Sequence, residues 1–233
     1  MINYSNPVLL KLRTFGQRLG VLRPVVRLYR KLFNLSYESK FDQIMLNKIL
    51  PDDVVWDVGA NVGFFTKKFA EKVGRDGYVF AFEPSINTYH TLVKNCASFE
   101  NTKILNMGLS NVSGNLHFRE SDIENDPTNG IVDAGTPGAI VVVIATGDEL
   151  VKSNSVKLPN VIKIDVEGFE LDVIQGMTNI LKNSALKKLL IEVHFLEMAK
   201  RGLKNGSTEI VKIINNSGFK VSWIDPSHLI AER

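Results

Sequence analysis

Asp57, Gly59, Asn61 and Gly63 alternate along a short segment joining the apolar run Val54–Trp56 to a stretch with helical spacing. A glycine turn between strand and helix is a common seat for a nucleotide-like ligand, because the backbone and the helix start can both face it. The turn does not match the dinucleotide fingerprint G-x-G-x-x-G: counted from Gly59, the second and third glycines fall on Asn61 and Phe64. G-x-x-x-x-G-K-[ST] does not occur either. Glycines that would let the backbone approach a pyrophosphate are missing, and an acid, Asp57, stands at the strand end. That exchange suits a ligand carrying positive charge. A second acid, Glu83, ends the next apolar run, where dinucleotide enzymes keep the carboxylate that accepts hydrogen bonds from ribose hydroxyls.

S-adenosylmethionine meets these requirements, having a sulfonium, an amino group, a ribose and an adenine but no phosphate. The plainer alternative makes Asp57 a helix cap and Glu83 a surface acid before Pro84. A second ionisable group follows two later apolar runs: Asp165 and Glu167 after Ile162–Ile164, and Glu192 and His194 around the end of Leu189–Val193. Methyl transfer needs an aligned acceptor oxygen and a way to remove its proton. His194 is the group whose ordinary pKa is near neutral, which makes it a candidate base; a hydrogen-bonded strand-end residue is the bland reading. Asp165 is expected beside the methyl donor. Glu167 is expected near a helix N-terminus, where it would stay ionised and bind or orient a partner. Asp165, Glu192 and His194 could also share a divalent ion. No tight ligand spacing such as H-E-x-x-H supports a metal, and the metal-free reaction is favoured.

These residues need a frame that brings strand ends together. Apolar runs at Val54–Val58, Tyr78–Phe82, Lys103–Met107, Ile162–Ile164 and Leu189–Val193 are continuous rather than alternating, as in strands covered on both faces. Helical segments are expected at Gly63–Val73, Asn87–Cys96, Phe169–Asn183 and Asn205–Asn216. The alternation predicts an α/β, doubly wound, mostly parallel sheet whose carboxyl edge holds the ligands. Residues 111–147 break the rhythm: strands Leu116–Arg119 and Ile140–Ile144 flank a turn-rich stretch read as a substrate loop. Phe64, Phe65, Phe69, Phe80 and Phe82 read as core, and Cys96 as a small buried helix residue.

"VVWDVGANVGFFT", "FAFEPS", "NMGLSN", "VIKIDVEGFELDVIQGM" and "LLIEVH" stand in the order and spacing of the FkbM-type methyltransferases, and the chain resembles that family over about residues 50–230. The resemblance implies a Rossmann-like class I methyltransferase sheet of seven strands. It also implies a reversed final hairpin, Phe219–Ile224 with Leu229–Ala231, and S-adenosylmethionine-dependent methylation of an oxygen on a sugar, glycan, glycolipid or secondary metabolite. Asp57, Gly59, Asn61, Gly63, Glu83, Pro84, Gly108 and Asp165 are then the cofactor-binding positions; Asp165, His194, Glu167 and Glu192 are the catalytic ones. One departure concerns "IATGDEL", where Gly147 replaces the leucine more usual before the acid and leaves the geometry around Asp148 open.

The charge is uneven. Residues 1–40 hold eight Lys/Arg and one acid, against a chain total of 28 basic and 25 acidic residues, so a basic arm precedes a mildly acidic body. The division is drawn as a helical arm, 1–50, and a methyltransferase domain, 51–233. Val25, Leu28, Tyr29 and Leu32 form an apolar stripe among arginines. The stripe suits packing on the body, or peripheral contact of residues 8–33 with an anionic membrane. RNA methylation and a docking module with a vestigial cofactor site are the competing functions. An acidic body without an aromatic-interleaved RNA motif argues against nucleic acid as a partner. A single cysteine, no evident leader and interrupted apolar patches suit a cytoplasmic protein, with the inner membrane face as the peripheral location. The oligomeric state and the acceptor are not readable from these residues.

Overall fold

The computed structural model describes residues 41–119, 130–131 and 135–233. Among the described residues the first element is a helix, α1, at residues 41–47. Then follow β1 (Val54–Val58), α2 (Phe64–Val73), β2 (Tyr78–Phe82), α3 (Ile86–Cys96), β3 (Thr102–Leu105), β4 (Gly108–Leu109), β5 (Gly114–Arg119), β6 (Gly130–Ile131) and β7 (Ala139–Ala145). The chain continues through α4 (Gly147–Lys152), β8 (Val161–Ile164), α5 (Glu170–Gln175), α6 (Thr178–Lys182), β9 (Lys188–Glu192), α7 (Phe195–Lys200), α8 (Gly206–Asn216), β10 (Lys220–Trp223) and β11 (His228–Glu232).

Seven strands form the main sheet in the order β10-β11-β9-β8-β1-β2-β3. The five from β9 to β3 run parallel, and β11 inserts antiparallel between β9 and β10. This is the expected doubly wound sheet with its reversed hairpin. The pairing of β1 with β8 sets Val58 opposite Ile164, so the glycine turn and Asp165 leave the sheet side by side. The continuous apolar runs are explained by two-sided burial: Trp56, Phe82 and Ile162 lie on one face, and Val55, Val79 and Leu190 on the other, all buried. Each large side chain so buried contributes roughly 1.5–3 kcal/mol before entropy is counted.

Part of the segment set apart as an arm belongs to this core. Phe41, Met45 and Ile49 recur at helical spacing and are buried with Val55, Phe69 and Val79. The stripe at residues 8–33 lies outside the described residues.

Residues 108–145 build a second sheet, in the order β4-β7-β5-β6, with β5 and β7 antiparallel over six residue pairs. Of its strands, β5 and β7 were expected, as Leu116–Arg119 and Ile140–Ile144; β4 and β6 were not. The stretch 120–129 and 132–134, the centre of the expected substrate loop, lies outside the described residues. The expected helix Phe169–Asn183 is two helices. A Cβ on Gly176 would lie 1.9 Å from the Ser110 carbonyl oxygen, so the chain is pressed against the second sheet and breaks there. Asp148 starts α6 afresh by accepting from the Asn179 and Ile180 amides at 2.9 and 3.0 Å. Gly147 is needed for that docking, because a Cβ there would meet Met177 Cγ at 2.6 Å. That contact accounts for the glycine before Asp148.

Candidate active site

The glycine turn is tied to the neighbouring strand. Gly59 and Ala60 donate their amides to the Phe82 carbonyl at 3.1 and 3.0 Å, and Gly63 donates to the Ala60 carbonyl. Asn61 donates to Glu83 Oε2 at 2.9 Å, and Glu83 Oε1 accepts from the Ser85 amide at 3.0 Å. Gly59, Asn61 and Gly63 all have positive φ, and a Cβ on Gly59 would lie 1.8 Å from the Asp165 carbonyl oxygen. Glycine is therefore compulsory at 59. The amides of Gly59, Ala60, Asn61 and Gly63 are engaged inside the protein and are not turned to a phosphate. Asn106 donates to the carbonyls of Glu83 and Pro84 at 2.9 and 3.0 Å and fixes the end of β2. A Cβ on Gly108 would stand 3.7 Å from Pro84 Cβ, so Gly108 lies beside Pro84 at the same edge as the glycine turn.

Asp57 sits differently from expectation. Its side chain is wholly buried, accepts from Thr66 Oγ1 at 2.6 Å and lies 3.4 Å from Lys163 Nζ. It anchors the turn from beneath instead of presenting a charge to open space. Lys163 completes the arrangement by donating to the Gly59 carbonyl at 2.8 Å and reaching Asp165 Oδ2 at 3.3 Å. Burial works against its charge, but Asp57 and Asp165 outweigh that and raise its pKa. A lysine inside the apolar run "VIKI" was the sequence signal for this buried pairing, and it was missed.

Around His194 three strand ends converge. His194 follows β9 and opens α7, and its Nδ1 is 2.8 Å from Oε1 of the wholly buried Glu170. Its Nε2 faces Glu167 at 3.5 Å, Asp165 at 3.7 Å and Glu192 at 3.9 Å. The four expected catalytic residues are thus together. Two electrostatic expectations are corrected. Burial alone would lower the His194 pKa, but the hydrogen bond to Glu170 and the charges of Glu167, Glu170 and Asp165 push it up to about 9. The Glu167 carboxyl is raised, desolvation of its inner side outweighing His194 although most of the side chain is exposed; it sits three residues before the start of α5 in a left-handed turn, with φ 49°. Glu170, read only as part of a helix, is the group that orients the imidazole.

Glu192 faces a second histidine that sequence reasoning also missed. His228 Nε2 is 3.3 Å from Glu192 Oε2, and its Nδ1 is 2.6 Å from Asp225 Oδ2. The ring stacks on Phe41 at 4.0 Å between centroids. Burial opposes the charge here too, and Asp225 and Glu192 raise the His228 pKa to about 9. In return Glu192 is held below its ordinary value, burial being outweighed by His228. A cavity of about 260 Å³ opens between these groups, with Phe41, Phe64 and Phe65 among its walls and Lys163, Asp165, Glu192 and His228 as polar lining.

Residues 57–221 match the model of the methyltransferase FkbM domain. The chain belongs to the FkbM methyltransferase family. It is also 34% identical over 227 residues to the hexuronic acid methyltransferase AglP of Haloferax volcanii, with 93% of this chain and 88% of that one covered. A crystal structure of methyltransferase FkbM from Methylobacillus flagellatus superposes with a TM-score of 0.53 at 15% identity. That match covers 79% of this chain but 44% of the other, and bears on the fold alone. This FkbM methyltransferase uses S-adenosylmethionine. Its donor set fits that cofactor: a glycine turn whose own amides are engaged internally, next to the Glu83 carboxylate. Among the described residues no helix is long and apolar enough to cross a membrane.

Proposed function

We propose that the protein methylates an oxygen of a sugar, with a uronic-acid-bearing glycan as the acceptor. The observation that carries this reading is the 34% identity to a hexuronic acid methyltransferase over nearly the whole of both chains. The cavity of about 260 Å³ supports it, since aromatic walls suit the apolar face of a pyranose and the polar lining suits its hydroxyls.

When bound, S-adenosylmethionine supplies the methyl group from its sulfonium. In this reading Glu83, fixed by the Asn61 and Ser85 amides, accepts from the ribose hydroxyls. The turn from Gly59 to Gly63 and the neighbouring Pro84 and Gly108 shape the seat. Asp165, held by Lys163 at 3.3 Å, directs its other oxygen to the acceptor, and His194 and Glu192 orient that acceptor for in-line attack. Asp165, with one oxygen held by Lys163, is placed to accept the proton of the acceptor hydroxyl. As the methyl group is supplied to the acceptor oxygen, Asp165 would take that oxygen's proton and return it to water.

The single cysteine and the basic stripe support placing this reaction in the cytoplasm, with residues 8–33 against an anionic membrane that carries the glycan. The deciding experiment incubates the full chain with S-adenosylmethionine and matched uronic-acid and neutral glycans, and reads the products by mass. Methylated uronic-acid glycan is expected. Methylation confined to RNA, or none on any sugar while the cofactor still binds, overturns the acceptor.

A further inference from the structure

The proposed acceptor is an anion, yet it is offered an edge rich in carboxylates. Asp165, Glu167 and Glu192 all point at His194 Nε2 from 3.5 to 3.9 Å. Lys163 is committed to Gly59, Asp57 and Asp165, and both His228 nitrogens face carboxylates. Nothing in that set is left over to meet a uronic acid.

We propose that Asp165, Glu167 and His194 form a site for one divalent cation of the Mg²⁺/Mn²⁺ class, held in register by Glu170, which receives the oxygens of the acceptor. One ligand atom from each of the three residues lies within 4.8 Å of the others. Ligands at about 2.1 Å from a six-coordinate ion stand roughly 3 Å apart when adjacent and about 4 Å when opposite, so separations of 3.5 and 3.7 Å from His194 Nε2 need only small adjustments. Two carboxylates and one imidazole, whose Nε2 proton the ion displaces while Nδ1 stays on Glu170, suit Mn²⁺ well, and three ligands leave positions open for substrate.

Glu170 is the independent observation. It is wholly buried, holds His194 Nδ1 at 2.8 Å and so turns Nε2 toward the two carboxylates; its own Oε2 has no hydrogen-bond partner among the described residues. A buried carboxylate behind a histidine whose other nitrogen faces further ligands is the usual outer support of a metal-bound imidazole. The ligand set differs from the one suggested by strand-end reasoning: Glu192 is drawn off by His228, and Glu167 takes its place. The site rests on the methyltransferase reading only for the identity of its substrate.

Chelator-stripped full-length protein is titrated with Mn²⁺ while free ion is followed by electron paramagnetic resonance. One ion per chain is expected. Glu167→Gln and His194→Ala should each weaken binding at least tenfold, and Glu170→Gln 10- to 100-fold, with S-adenosylmethionine binding by calorimetry unchanged in Glu167→Gln. Glu167 has a side chain 79% exposed, so its replacement leaves the fold intact and keeps the test decisive. No Mn²⁺ uptake at millimolar ion, with or without the cofactor, overturns the site, as does uptake unaltered in both glutamate variants. Loss of cofactor binding in wild-type protein would count against the methyltransferase reading instead, so the two failures are separable.

Discussion

His194 and His228 have the same nominal chemistry and opposite situations. His228 is buried and His194 partly so, and each is raised to about 9 by flanking carboxylates. At His228 the pairing is closed: Asp225 takes one nitrogen at 2.6 Å, Glu192 the other at 3.3 Å, and Phe41 covers the ring. At His194 one nitrogen is anchored at 2.8 Å, while the other faces three carboxylates, none nearer than 3.5 Å. A satisfied charge network holds a structure together, whereas one with loose distances leaves room for a guest. A raised pKa alone does not distinguish the two; the number of nitrogens already committed does.

The sharpest break of this comparison is on the open side. Asp165→Asn should cut kcat by about 10²- to 10⁴-fold, or ~3–5 kcal/mol of barrier, with cofactor affinity and melting temperature little changed. Steady-state kinetics beside a thermal melt checks both. Turnover close to wild type would remove Asp165 from the chemistry.

The closed side should respond in stability. His228→Ala strands Asp225 and Glu192 without their cation and removes the partner of Phe41, at a cost of about 3–5 kcal/mol in denaturant unfolding. The sign of the pH effect follows from a folded pKa raised from 6.5 to about 9. The stabilisation from His228 is complete below pH 6.5 and is lost as pH rises through about 9, up to ~3 kcal/mol in all. Wild type should therefore weaken across that window, and His228→Ala should show a flatter profile. Equal slopes would mean that other groups govern the window.

The smallest effect is expected from the arm. Removing residues 1–35 spares Phe41 and both histidines, so cofactor affinity should stay within about twofold by calorimetry, calibrated against 1.4 kcal/mol per tenfold. If residues 8–33 hold a membrane, the truncation should also abolish sedimentation with anionic vesicles, which in the intact chain should fall with salt. Equal sedimentation of both forms leaves packing on the body.

Much of the fold was legible because burial on both faces writes strands as unbroken apolar runs, and "VVWDV", "YVFAF" and "KLLIE" were recognisable on that ground. The glycine turn was legible because φ and close approach restrict the residue type. What escaped depends on tertiary neighbours. The break between α5 and α6 is imposed by the Ser110 carbonyl some 66 residues earlier in the chain, and nothing local near Gly176 announces it. His228 meets Glu192 through an antiparallel register that sequence does not display. The His194 pKa was misjudged because its carboxylates come from separate segments, and the enclosure of Asp57 by Lys163 and Thr66 was not legible because Lys163 comes from another strand.

The glycine turn, knotted to β2 through its own amides, also bears on the thermodynamics of loading. A loop that closes over its ligand must surrender backbone freedom when the ligand arrives, at about 1–2 kcal/mol per residue fixed. Here the amides of Gly59, Ala60, Asn61 and Gly63 are already bonded, so that freedom is given up during folding and not on association. The cofactor meets a rigid seat, and its amide protons should exchange slowly with deuterated solvent whether or not the seat is filled.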